Sequence, residues 1–205
     1  DTNDGMSMDS PFASLFPINT LTLNPGDRVL LAKDSIFTGQ FLQIKDSGTK
    51  EHPIEIGSYS PTGEEGENAP LIATGGQGIW YQDYGIPLDS PTHVYQGYVS
   101  SAVLLYDVEH VVIHDIEITN SADKVGESYS APHKMNRTGV AVVAKDKGVR
   151  SGITLRNLSI HDVNGNVYDK HMNNGGIYMT ALKPADEEAT GVARFKDITV
   201  EGCFV

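Results

Sequence analysis

Three stretches of this chain copy one another. Val111-Val112-Ile113-His114-Asp115-Ile116-Glu117-Ile118, Ile153-Thr154-Leu155-Arg156-Asn157-Leu158-Ser159-Ile160 and Ala193-Arg194-Phe195-Lys196-Asp197-Ile198-Thr199-Val200 align at spacings of 42 and 40 residues. One column holds Asp115, Asn157 and Asp197; apolar columns run through 113/155/195, 116/158/198 and 118/160/200. A second strand family precedes each copy, at Ala102–Tyr106, Val140–Ala144 and Ile177–Ala181. Self-similarity at a nearly fixed period is the mark of a stacked architecture.

The apolar residues come in short alternating runs with little helical spacing, among 21 glycines, so the class is all-β. Strands with loops of variable length fit a right-handed parallel β-helix, in which inward columns stack from coil to coil. A propeller blade of similar period needs four antiparallel strands with tight hairpins. The Asn-Gly hairpin signal occurs only at Asn164-Gly165 and Asn174-Gly175, both within one polar stretch. The aligned Asp/Asn column disfavours a sandwich. Val205 follows directly on the third copy, and an open coil exposes strand edges. The expectation is therefore one incomplete β-helix domain over residues 1–205. A second chain or a further C-terminal segment would complete it.

Ahead of the repeats, Arg28–Ala32, Phe37–Ile44 with a bend at Gly39, Pro53–Tyr59 and Leu71–Ala73 read as strands. Residues 1–12 are polar and expected to fray. In 13–24 the second half alternates as a strand. Residues 60–70 form an acidic loop. Residues 74–98 hold the only Trp and four Tyr among Gly, Pro and polar residues, without a period. A loop of this length in a compact domain is usually functional or disordered, and its aromatics argue for order.

The formal charge is −12, from 15 basic and 27 acidic residues, which opposes a nucleic-acid groove. No apolar run approaches the roughly 18 residues of a membrane span, and no basic start with an apolar core marks a signal peptide. The single cysteine, Cys203, permits no internal disulfide.

The chemistry concentrates in 160–178, a polar Gly-rich loop between two strands, where binding and catalysis usually reside. Asp162 and Asp169 stand seven residues apart. In the repeat alignment Asp162 falls on Asn120 and Gly202, just past a strand end. Glycoside hydrolysis needs two carboxylates about 5–5.5 Å apart for retention or about 6.5–9.5 Å for inversion, and a short loop can supply either. Turn capping or cation binding is the alternative for the pair. Asn164, Asn166, Asn173 and Asn174 suit vicinal hydroxyls, since an amide both donates and accepts. Asn also serves turns. His161 and His171 read as orienting donors; His110 and His114 read as surface positions.

Trp80 and Tyr81, with Tyr84, Tyr95 and Tyr98, could stack on a pyranose or pack the loop onto the coil. Gln82 and His93 join the substrate-contact set. With a single thiol and no H-E-x-x-H, zinc is disfavoured. A structural calcium is the one cofactor candidate. Lys170 or Arg137 as base would make the chain a calcium-dependent polysaccharide lyase, and a non-catalytic glycan-binding β-helix is the third option.

The stretch HDVNGNVYDKHMNNGGIYM, with GQGIWYQDYG and PGDRVLLAKDSIFTGQFLQIK, resembles the β-helix lacto-N-biosidases of gut bacteria over roughly 15–205. That resemblance implies a secreted or cell-surface retaining glycoside hydrolase. It would release lacto-N-biose (Gal-β1,3-GlcNAc) from lacto-N-tetraose of human milk or similar glycan ends. It implies Asp162 as acid/base and Asp169 as nucleophile, with Lys170 and His171 beside them. It also implies a longer β-helix and a dedicated folding chaperone or partner subunit.

Overall fold

The computed structural model describes residues 2–63, 67–121, 135–166 and 173–205. Besides a 3₁₀ turn at Ile18–Thr20 and the short helix α1 (Glu187–Thr190), its regular elements are strands. One pass of the chain carries β1 (Arg28–Ala32), β2 (Ile36–Thr38) and β3 (Leu42–Ile44). The next carries β4 (Ile54–Tyr59), β5 (Leu71–Ala73), β6 (Ile79–Tyr81) and β7 (Tyr98–Tyr106). Then come β8 (Val111–His114), β9 (Glu117–Asn120) and β10 (Asn136–Ala144). The fourth pass has β11 (Val149–Ser151), β12 (Ile153–Arg156), β13 (Ser159–Val163) and β14 (Gly175–Ala181), and β15 (Arg194–Lys196) and β16 (Thr199–Glu201) follow α1.

Equivalent strands pair in parallel. β1-β4-β8-β12-β16 form the first sheet, β2-β5-β9-β13 the second and β3-β7-β10-β14 the third. The chain visits the three in rotation. Period-two alternation sends every other side chain inward, and parallel register stacks like on like. Val29, Ile56, Ile113 and Leu155 form a column in the first sheet. Phe37, Ile72, Ile118 and Ile160 form one in the second. Leu42, Val103, Val140 and Ile177 form one in the third. All but Ile177 are buried, and these columns are the core. Each buried aliphatic side chain contributes about 1.5–3 kcal/mol.

The repeat is real, but its third copy is displaced. Ile113 pairs with Leu155 as aligned, whereas Leu155 pairs with Val200 and not Phe195. Phe195 pairs instead with Arg150 in the small β11–β15 sheet. The cause is two left-handed corners five residues apart. One holds Asp115 (φ 54°), Asn157 (φ 52°) and Gly202 (φ 61°). The other holds His110 (φ 52°), Gly152 (φ 71°) and Asp197 (φ 54°). Asp, Asn, His and Gly all visit this conformation, so Asp197 imitates Asp115 in sequence while occupying the other corner.

The expected strand in the second half of 13–24 is absent. Asn19 takes its place as a side-chain surrogate, donating Nδ2 to Phe41 O (3.0 Å) and accepting from Gln43 N (2.7 Å). The aromatic loop includes β6, antiparallel to the start of β7. Trp80 belongs to a second apolar cluster with Val99, Leu104, Ala141, Val143 and Leu182, against which Tyr84, Tyr106 and Tyr178 pack. β7 and β10 are consequently buried on both faces, only the two end residues of β7 being partly exposed.

Candidate active site

The site lies where the second sheet hands over to the third, at the end of β13. There the pairing register skips: His161 faces Thr119, Val163 faces Asn120, and Asp162 is the extra residue of a β-bulge. The alignment of Asp162 with Asn120 and Gly202 is thereby corrected, since Gly202 belongs to the Asn157 corner. Asp162 has φ 50°. A left-handed residue breaks strand alternation, so adjacent side chains can meet. His161 Nδ1 lies 2.8 Å from Asp162 Oδ2, and His161 Nε2 lies 2.9 Å from Glu117 Oε1 on β9. The Asp162 side chain is 73% exposed and that of His161 38%. The Asp162 and Glu117 carboxylates hold the His161 imidazole above its ordinary pKa, Asp162 acting more strongly. Bulges commonly re-aim a side chain beside active sites.

The same unit occurs once more, in the first sheet. His114 Nδ1 lies 2.6 Å from Asp115 Oδ2, and Nε2 lies 2.8 Å from Glu55 Oε1. Here the outer partners are filled. Arg28 Nε donates to Glu55 at 2.6 Å and Asn157 Nδ2 to Asp115 Oδ1 at 3.1 Å. His114 is buried, not a surface residue as expected, and its ring covers Gly57. His110 and His114 stand four apart, a chelating spacing on a helix. On β8, His114 is committed to carboxylates. Among the described residues no group of three His, Cys, Asp or Glu could hold a metal ion.

Amides build the adjoining wall. Asn120, fully buried, donates Nδ2 to Ser100 O (3.1 Å) and Thr138 O (3.0 Å) and accepts from Gly76 N (2.8 Å). Asn164 N reaches Asn120 O at 3.4 Å, and Asn166 N donates to Met135 O at 3.1 Å. Asn174 Oδ1 accepts from Arg137 N at 2.8 Å, while its Nδ2 donates to Asn166 O. Gly165 is enclosed, for a Cβ there would stand 2.6 Å from Arg137 N. Asn174 is thus bonded to Asn166, and Asn164 to the buried Asn120.

Gln82 forms a second focus. Its Oε1 accepts from Tyr178 OH (2.7 Å), Asn173 Nδ2 (3.3 Å) and Tyr84 OH (3.3 Å). Its Nε2 is buried with no hydrogen-bond partner among the described residues. Burial pushes the Tyr178 phenol well above its ordinary pKa, which keeps the hydroxyl a donor. The loop thus reaches Asn173, at the exit of the 160–178 stretch, through a buried amide.

The other expected contacts have partners of their own or lie outside the described residues. Trp80 Nε1 donates to Ser101 Oγ (2.7 Å), and its ring packs edge-on against Tyr106 at 6.4 Å. It lines an open cavity of about 420 Å³ with Ile79, Leu104, Tyr106, Lys45 and Lys147. Tyr81 packs edge-on against Tyr98 at 5.1 Å and accepts from Leu88 N at 3.2 Å. His93 closes the Ser90–His93 turn, with Nδ1 3.0 Å from Thr92 Oγ1. Asp169, Lys170 and His171 lie outside the described residues. The sequence reading missed Glu117 and Tyr178. Glu117 sits in a repeat strand, where a carboxylate looks like a solvated position.

Fold and corner together define an all-β protein of parallel stacked sheets, with a carboxylate–imidazole–amide site at one sheet junction. No family model matches the chain. A lacto-N-biosidase of Bifidobacterium longum subsp. longum is 36% identical over 235 aligned positions, covering 100% of this chain and 14% of that protein. Crystal structures of the GH136 lacto-N-biosidase from Eubacterium ramulus, native and selenomethionine, superpose with TM-score 0.84 at 60% identity. They match 98% of this chain and 32% of theirs. The chain belongs to the lacto-N-biosidase family. It spans about a seventh of the curated relative and about a third of the solved chains.

Proposed function

We propose that this chain carries the catalytic corner of a retaining glycoside hydrolase that releases lacto-N-biose from lacto-N-tetraose-type glycans. The observation that carries the reading is Asp162, a bulge residue whose exposed carboxylate is fixed at one oxygen by His161. Its fellow carboxylate is Asp169, seven residues on in the sequence. In the first step Asp169 attacks the anomeric carbon while Asp162 gives its proton to the departing glycosidic oxygen, and lactose leaves. In the second, water attacks the glycosyl-enzyme, Asp162 takes the water's proton, and Asp169 is freed. The relatives' names and the match across the whole chain support this assignment.

Asn164, Asn166, Asn173, Asn174 and Gln82 would hold sugar hydroxyls and the N-acetyl group, helped by Lys170 and His171. Trp80, Tyr81 and His93 would shape the aromatic side of the cleft. Two-carboxylate hydrolysis requires no cofactor, and a structural calcium would have a supporting role only.

The rotation through three sheets supports a right-handed parallel β-helix, because parallel crossovers in one sheet are right-handed in about 98% of cases. Val200, Phe204 and Val205 are exposed at the last pass. A further C-terminal segment or second chain would cover that end, with a folding chaperone assisting. An extracellular or cell-surface location suits a glycan substrate. Hydrolysis of lacto-N-tetraose by the native full-length protein, with products identified, tests the function. Lacto-N-biose plus lactose supports it; an unsaturated uronate product, or binding without cleavage, overturns it.

A further inference from the structure

We infer that Glu117 and His161 are positioning residues for Asp162: Glu117 fixes the His161 ring, and the ring fixes which Asp162 oxygen faces the substrate. This rests on the glycosidase reading above. Both ring nitrogens of His161 face carboxylate oxygens, at 2.8 Å and 2.9 Å. A neutral imidazole has one N–H and can serve one of them. With both carboxylates ionised, the doubly protonated ring supplies an N–H to each. The charged groups acting on His161 are Asp162 on its own strand and Glu117 on β9, and both raise its pKa.

The sister unit shows what the arrangement does when it is purely structural. Glu55–His114–Asp115 has the same bonds and the same left-handed Asp, but Arg28 and Asn157 occupy the outer carboxylate edges and the ring is buried. At Glu117–His161–Asp162 no such outer partner is found among the described residues. Oδ2 of Asp162 is taken by the ring, so Oδ1 is the oxygen left to exchange a proton with the glycosidic oxygen and then with water. Rotation of the carboxylate is stopped by one bond, and rotation of the ring by another.

The experiment measures kcat and KM for lacto-N-tetraose across pH in the native full-length protein, together with thermal unfolding. Glu117→Gln and His161→Phe should lower kcat by about tenfold to hundredfold, the scale expected when a reacting group is misplaced, with KM within about twofold. Glu117→Gln should also move the alkaline limb of kcat/KM to lower pH, because His161 loses one of the charges that keep it protonated. Glu117→Asp should restore that limb. Glu55→Gln, in the sister unit, should lower the unfolding temperature and leave kcat and the pH profile unchanged. If Asp162→Asn is inactive while Glu117→Gln and His161→Phe keep wild-type kcat and the wild-type alkaline limb, the positioning role is overturned and the glycosidase reading stands. If Asp162→Asn hydrolyses normally, the assignment of Asp162 as acid/base fails and the inference fails with it.

Discussion

Asn157 donates its side-chain amide to Asp115 at 3.1 Å across adjacent strands of the first sheet, and both residues hold left-handed backbone, φ 52° and 54°. The bond ties one corner to the next along the stack. Residues other than Gly, Asn and Asp lose about 1–2 kcal/mol in this conformation. Asn157→Ala should therefore destabilise by about that amount, and Asn157→Gly by clearly less. Chemical denaturation of the two variants checks the order.

Asn120 is the buried counterpart on the second sheet. Its amide satisfies Ser100 O, Thr138 O and Gly76 N together. Asn120→Leu has a similar volume but leaves those groups unpaired inside the fold. The expected cost is about 3 kcal/mol, from an unsatisfied-group penalty of about 1–3 kcal/mol each. Urea midpoints at constant m-value would register it.

His161 makes stability depend on pH with a definite sign. Its folded pKa is raised, by Asp162 first and Glu117 second. Its contribution is complete below the unfolded value, about 6.5, and is lost as pH rises through the folded value. The stability difference between wild type and His161→Phe should be largest under mildly acidic conditions and fade toward alkaline pH. A difference that grows with pH would contradict the assignment. Glu55 acts oppositely: the Arg28 hydrogen bond lowers its pKa, so its contribution disappears on acidification.

Gln82 accepts three hydrogen bonds and donates none. Under the proposed function, a substrate oxygen would be the partner of its Nε2. Gln82→Leu should raise KM for lacto-N-tetraose about tenfold, equivalent to about 1.4 kcal/mol. An unchanged KM would place Gln82 among purely structural groups.

Much of the scaffold was legible because strand alternation is a local signal. Arg28–Ala32 and Leu71–Ala73 were read with their observed bounds, and Gly39 is a left-handed bend between β2 and β3. The third repeat was misaligned because two corners use the same chemistry, and only pairing tells Asp197 from Asp115. The bulge at Asp162 was invisible for a related reason: one inserted residue alters pairing without altering the apolar pattern. The burial of His114 and the role of Glu117 depend on neighbours 59 and 44 residues distant in sequence. No local window contains those partners.

The most direct measurement is the rate of lacto-N-tetraose hydrolysis by the native full-length protein against Asp162→Asn and Asp169→Asn, with products identified. Release of lacto-N-biose and lactose by the wild type, with both variants reduced by several orders of magnitude and still folded, is the predicted result. Undiminished hydrolysis by either variant, or none by the wild type with glycan binding intact, would contradict the account.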